Sequence, residues 1–150
     1  EHAMKHMKKA ESNYKWDYFK GIESLRKHRL TALQECANDM KESSERYIPA
    51  NLPSLPFKND EFEILLSAHF LFMYADRLDY LFHLETLNEL LRVTKEEVRI
   101  FPLVDLEGKR YKHLDKIFSY LADCNYIVEE IKVPYEFQTN ANSMLKIRKG

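Results

Sequence analysis

The chain has 150 residues, a formal net charge of −1, 45% hydrophobic residues and 31% charged residues, a composition typical of one ordinary globular domain. A charge so close to zero gives no reason to expect nucleic acid or an acidic membrane as a partner. No stretch reaches the roughly 18 apolar residues that cross a bilayer, and no apolar segment follows the charged amino terminus, so the sequence predicts a cytoplasmic protein.

Glycine and the metal-binding residue types are few and scattered. Cys36 and Cys124 lie far apart in the sequence. His2 and His6 have the i, i+4 spacing of metal ligands on a helix, but no third ligand lies nearby. The sequence therefore predicts no metal site. Three glycines are present, where average usage of about 7% would give around ten. Because none lies close to another, they cannot form a glycine-rich nucleotide-binding loop.

The amino-terminal third predicts helices. Residues 2–12 are compatible with a helix of weak pattern, and residues 22–41 predict a longer one because their apolar side chains recur on one face. A polar turn over residues 43–45 ends this helix. We therefore expect a helical amino-terminal segment over residues 1–45. The apolar face consists of Ile22, Leu25, Leu33, Cys36 and Met40.

Beyond residue 45, strands and helices alternate. Residues 62–69 are an almost unbroken apolar run, which is typical of a strand buried on both faces. The helix after it has Asp76 or Asp79 as its expected N-cap. The predicted strands cover residues 46–49, 62–69, 97–103, 126–133 and 144–148, and the predicted helices cover residues 79–94 and 111–124.

This alternation predicts a fold class. Strands separated by helices favour βαβ units and a mainly parallel sheet. Residues 134–143 join the last two strands without a helix, which predicts an antiparallel hairpin at one edge, because a parallel pair needs a longer crossover. We expect an α/β domain over residues 46–150, mainly parallel with an antiparallel terminal hairpin and preceded by helices.

An ordered series of motifs resembles the class I S-adenosylmethionine-dependent methyltransferases. The stretch LPFKNDEFEILLSAHFLF resembles their Leu-Pro-Phe turn and the hydrophobic strand after it. LNELLRVTKEEVRIFPLVDL resembles their next helix and strand, and VPYEFQTNANSMLKIRK resembles their terminal hairpin. The resemblance covers residues 46–148, is particularly close to uncharacterised bacterial methyltransferase-like proteins, and implies part of a Rossmann-like methyltransferase sheet.

The resemblance also implies a function and a site. The function is transfer of a methyl group from S-adenosylmethionine to a small molecule. The family's adenine-side acid falls on Asn51, and the backbone amide that contacts the ring falls on Leu52. Ser67, His69 and Phe70 would face the methionine part of the cofactor and the substrate. His69 would be the general base, since imidazole titrates close to neutral pH; the alternative is that it caps the strand by bonding a backbone carbonyl.

Aromatic side chains around this segment allow two interpretations. They could line a substrate pocket, but core packing is the more common role of such residues and is the prediction that we favour. For residues 135–138, a pocket or an interface is as well supported as packing. The aromatic residues are Phe70, Phe72, Tyr74, Tyr80 and Phe82.

The chain departs from the family pattern at its front. Residues 1–41 have no counterpart of the strand with a glycine-rich cofactor loop, or of the strand whose acid holds the ribose hydroxyls. Two βα units of about 30 residues each are missing, so we expect a fragment that lacks a complete cofactor site. The shortened sheet would expose an apolar edge, which predicts a homodimer or larger oligomer. A second function is therefore open, that of a non-catalytic interaction or scaffold domain.

Overall fold

The computed structural model of the protein describes residues 7–8 and 10–150. The predicted helix over residues 2–12 lies mostly outside this range. The chain divides into two compact units, Glu1–Pro49 and Ala50–Gly150. Across the described residues, we find no helix with both the length and the apolar character needed to cross a membrane.

The main element of the first unit is helix α1, Ile22–Glu42, which confirms the predicted helix. Within α1, Leu25 is the one buried residue. Leu30, Leu33 and Met40 are exposed. The predicted apolar face of this helix is therefore largely open to solvent.

The strand predicted over residues 46–49 is wrong. Arg46 ends a short 3-10 turn, Ser44–Arg46. Side-chain contacts, rather than the backbone hydrogen bonds of a β-sheet, hold this segment in place. The Tyr47 hydroxyl donates to the Asp39 carboxylate over 2.6 Å, and the Arg46 guanidinium reaches the same carboxylate at 3.2 Å. The bond to Asp39 raises the pKa of Tyr47 to about 12. This segment is thus tied back to α1.

The second unit is mixed α/β, and its elements confirm the predicted alternation of strands and helices. They form one four-stranded sheet in the order β1-β2-β4-β3. In chain order the elements are β1 Phe62–Ala68, α2 Tyr80–Val93, β2 Thr94–Phe101, α3 Leu114–Asp123, β3 Tyr126–Lys132 and β4 Ser143–Lys149.

The prediction of a mainly parallel sheet is wrong. The pair β1–β2 is parallel, but β4 pairs antiparallel with both β2 and β3. The reason is the place of the terminal hairpin: its last strand inserts between β2 and β3 and so has two antiparallel neighbours. The strands β1, β2 and β3 still run in the same direction. Their carboxyl ends therefore meet at one edge of the sheet, which we call the carboxyl edge.

One face of the sheet carries the core of this unit. Val98 and Ile100 of β2 pair with Ile147 and Leu145 of β4, and all four are at most 1% exposed. Burying each such side chain contributes about 1.5–3 kcal/mol. The apolar stripes of the two helices cover this face with Leu87, Leu90 and Leu91 of α2 and with Leu114, Ile117 and Leu121 of α3.

The expectation that β1 is buried on both faces is wrong. β1 lies at the sheet edge, and β2 is its one partner strand in the described part of the chain. On the face away from the helices, Ile64 is 51% and Leu66 is 71% exposed. The other face is half-buried at Leu65 and Ser67. The apolar run therefore forms an open strand instead of an internal one.

Charged side chains dominate the same helix-free face on β2 and β4. The Glu97 carboxylate, whose side chain is 11% exposed, lies 3.0 Å from Lys146 Nζ and also pairs with Arg99. Burial opposes ionisation of Glu97, but the hydrogen bonds from Lys146 and Arg99 outweigh it, so the pKa of Glu97 is lowered. Arg148 and Glu129 add a second pair at 3.2 Å.

Glu97 should make stability depend on pH. Its folded pKa is below the unfolded one, so its contribution is present above the unfolded pKa and is lost as the pH falls through the folded pKa. We expect Glu97→Gln to lower the free energy of unfolding by about 1–2 kcal/mol at pH 7. The difference in this free energy between the variant and wild type should shrink as the pH is lowered below about 4. Urea unfolding from pH 7 to pH 3 measures this difference.

The exposed neighbour Glu96 provides the matched control. Glu96→Gln should follow the wild-type profile at every pH. Equal acid sensitivity in wild type and Glu97→Gln would contradict the assignment.

Candidate functional site

His69 follows β1 directly and lies at the carboxyl edge. Its backbone has a φ of 56°, a left-handed conformation that histidine adopts more readily than most residues. The His69 amide donates to the Phe101 carbonyl over 2.7 Å, which extends the pairing of β1 with β2. The imidazole is exposed and lies edge-on to the Phe101 ring, with centroids 5.4 Å apart. The backbone thus holds the end of the strand and sets where the imidazole lies.

Further aromatic rings lie near His69 at the carboxyl edge. The Tyr135 ring lies 6.3 Å from Phe101, and Phe70 lies 6.1 Å from Tyr74. Phe70 and Tyr135 are each more than a third exposed. We call His69, Phe70, Phe101 and Tyr135 the aromatic rim. For Phe70, the exposed position departs from the predicted core role.

The predicted site residues fall into two groups. Ser67, His69 and Phe70 lie together at the end of β1. Asn51 and Leu52 lie in a separate turn, where the Asn51 carbonyl accepts from the Ser54 amide over 3.0 Å. Asn51 is exposed, whereas Leu52 packs against the core.

A clamp of two charged side chains fastens the loop that follows this turn to α2. The Leu55 amide donates to Glu89 over 2.7 Å. The Arg92 guanidinium bonds Glu89 at 2.7 Å, Asn59 at 2.8 Å and the Leu55 carbonyl at 3.3 Å. The bond from Arg92 outweighs burial and lowers the pKa of Glu89. These contacts hold the loop against the helix and do not extend to the end of β1.

His83 supports the loop that follows the aromatic rim. The sequence analysis did not identify it as a site residue. Asp79 begins α2 as its N-cap and accepts from the Phe82 amide over 2.8 Å, which confirms one of the two predicted caps. His83 is fully buried, with Nδ1 2.5 Å from the Asp79 carbonyl and Nε2 3.0 Å from the Leu71 carbonyl. It thereby fixes the loop after the rim to α2. The rings stacked on it are those of Phe72 at 5.6 Å and Tyr111 at 4.6 Å.

The only signal for His83 in the sequence is its position. It lies four residues before Leu87 and therefore on the buried stripe of the predicted helix. Phe72, by contrast, is buried as the core prediction expects.

Residues 7–8 and 10–150 fit S-adenosylmethionine only in part. The carboxyl edge offers rings and an imidazole, but no glycine-rich loop follows a strand there in the described chain. Gly108 serves another purpose: a Cβ at this residue would lie 2.8 Å from the Thr139 carbonyl oxygen, so it allows two loops to approach. The described residues therefore contain neither the glycine-rich loop nor the second strand with a ribose-binding acid that the resemblance implies for the complete family fold.

Comparison with known proteins gives one informative similarity. No family model matches the chain. A Methanocaldococcus jannaschii protein named Uncharacterized protein MJ0045 is 39% identical over 138 residues, which are 92% of this chain and 60% of that protein. The chain thus spans about three fifths of the length of this relative. The relative is archaeal, so it lends no support to the bacterial proteins that the motifs suggest.

Proposed function

We propose that this chain is the carboxyl-terminal part of a cytoplasmic, S-adenosylmethionine-dependent methyltransferase-like protein that methylates a small molecule. The observation that carries the proposal is the sheet. A crossover helix joins the parallel pair β1–β2, and an antiparallel hairpin ends the chain. The motif resemblance implies a strand–helix–strand unit followed by a terminal antiparallel hairpin for a partial Rossmann-like methyltransferase sheet. Ligands of open α/β sheets bind outside the carboxyl ends of strands, where the aromatic rim lies.

In this proposal each site residue has a role. His69 accepts the proton that the methyl acceptor loses, which is the task of a general base. Phe70 and the rest of the rim present apolar surface to the acceptor and exclude water. Ser67 contacts the cofactor at the strand end, and Asn51 and Leu52 contact its adenine. S-adenosylmethionine, when bound by the longer protein, supplies the methyl group.

The relative supports the view that the functional protein is longer. Because 138 aligned residues make up 60% of it, on the order of 90 residues of the relative lie outside the match. Two βα units need about 30 residues each. The longer protein would therefore have room for a glycine-rich loop and a ribose-binding acid.

Cofactor binding tests the proposal directly. We expect S-adenosylhomocysteine to bind a version extended to the length of the relative, and to bind this chain at least 100-fold more weakly because the loop is missing. Isothermal titration calorimetry on the two proteins measures both dissociation constants, with adenosine alone as the control ligand. Binding by neither protein would overturn the methyltransferase proposal.

The general base can be tested in the extended protein. His69→Ala should lower the rate of methyl transfer from radiolabelled S-adenosylmethionine to a small-molecule extract by about 100-fold, with S-adenosylhomocysteine affinity unchanged. His28→Ala, on α1, is the matched control and should keep the full rate. An unchanged rate in His69→Ala would remove the catalytic role from this residue.

The open edge of β1 favours a second candidate function. The outer side of this seven-residue strand has no partner strand in the described chain. The strand carries one charge, Glu63, and no lysine or proline that would discourage pairing. The alternative is a non-catalytic scaffold in which a second copy pairs with β1 across a two-fold axis. Two antiparallel β1 strands would then join two sheets into one.

Self-association tests this alternative. We expect sedimentation equilibrium to give twice the chain mass for the unmodified chain. Leu66→Lys should give a monomer, because a lysine on the edge strand β1 discourages pairing with a second strand. Leu106→Lys changes an exposed leucine outside the sheet and should remain dimeric. A monomer for the unmodified chain at every concentration would exclude the dimer.

A further inference from the structure

A polar cavity of about 260 Å³ lies at the carboxyl end of β3. It belongs to the carboxyl edge but is separate from the aromatic rim. The residues that line it follow β2 and β3 or belong to the ends of β3 and β4, and no residue of the aromatic rim is among them. Its polar lining includes Gly108, Arg110, Glu130, Lys132, Asn142 and Ser143.

Two cations and one carboxylate form the charged wall of this cavity. Arg110 pairs with Glu130 at 2.8 Å, and Lys132 Nζ donates to the Asn142 side-chain oxygen over 2.7 Å. A guanidinium has five N–H donors and an ammonium has three. These bonds therefore leave donors on both cations for a ligand. Arg110 also pairs at 3.5 Å with Asp115, whose side chain is 94% exposed and lies outside the lining. The charged residues that line the cavity carry a net charge of one positive unit.

The loops around the cavity are held to each other before any ligand binds. Gln138 Nε2 donates to the Asp105 carbonyl over 2.9 Å, and Asn140 Nδ2 donates to the Gly108 carbonyl over 3.1 Å. Gly108 has a φ of 76°, and a side chain there would clash with the Thr139 backbone. Glycine is thus required where the loops meet. A site whose walls are fixed in advance loses less entropy when a ligand binds.

We infer that this cavity binds a small molecule whose one charge is a single carboxylate, of the class of hydroxy acids. One negative charge balances the wall, and Arg110 and Lys132 supply charge-assisted hydrogen bonds to its two oxygens. A doubly charged phosphate would meet Glu130 with an excess negative charge. The volume lies just below the roughly 300–1,000 Å³ of drug-sized pockets, which suits a ligand of a few heavy atoms.

Nuclear magnetic resonance can test this site in the chain as it is. Gly108 is one of three glycines, so its amide signal is easily assigned. Acetate, L-lactate and inorganic phosphate are titrated separately at constant ionic strength. We expect at least one carboxylate to shift the Gly108 amide saturably, with a dissociation constant at least tenfold lower than that of phosphate.

Matched variants separate a built site from weak surface binding. Lys132→Met should weaken carboxylate binding at least tenfold, and Lys132→Arg should restore it. Lys116→Met, an exposed lysine of α3, should bind as wild type does. The inference is overturned if no carboxylate gives a saturable shift, if phosphate binds more tightly, or if Lys132→Met binds like wild type. None of these results depends on the methyltransferase proposal, which is tested by a different ligand.

Discussion

The insertion of β4 between β2 and β3 is the constraint on which the second unit depends. This strand pairs with both neighbours, and its Leu145 and Ile147 lie at the centre of the helix-covered face. A slip of one residue would move both side chains to the opposite face, beside Glu97, and would turn Lys146 into the core. The core and the ion pairs on the two faces therefore specify the same register, one by burial and the other by charge.

This register also determines what the carboxyl edge offers. Because β4 runs against its neighbours, the edge contains the ends of β1, β2 and β3 and the beginning of β4. At β1 and β2 the edge is aromatic, with His69 against Phe101. Tyr135, in the loop after β3, extends this aromatic part. The last residues of β3 and the start of β4 are polar, with Lys132 against Asn142. The two parts differ in chemistry, so they suit different ligands.

Local patterns in the sequence predicted the parts of this fold that local physics determines. The apolar spacing of α2 and the Asp79 cap depend on residues a few positions apart, and both are confirmed. The exposure of β1 could not be predicted from the sequence. An apolar run indicates a strand, but it does not show how many neighbouring strands and helices cover that strand. The polar cavity was also missed because its framework is long-range: Gln138 bonds Asp105 from 33 residues away. The roles given to Ser67 and Asn51 stay predictions.

The two proposed functions require different neighbours beside His69. If a strand of the same longer chain adds parallel to β1, its carboxyl end lies next to His69, and a crossover to the opposite face creates the kind of crevice in which open α/β sheets bind ligands. If a second copy adds antiparallel, the amino end of its β1 lies there instead, and no such crevice forms. Both additions would satisfy the open backbone groups of β1. The direction of the added strand, rather than its presence, therefore decides whether the imidazole faces a ligand site.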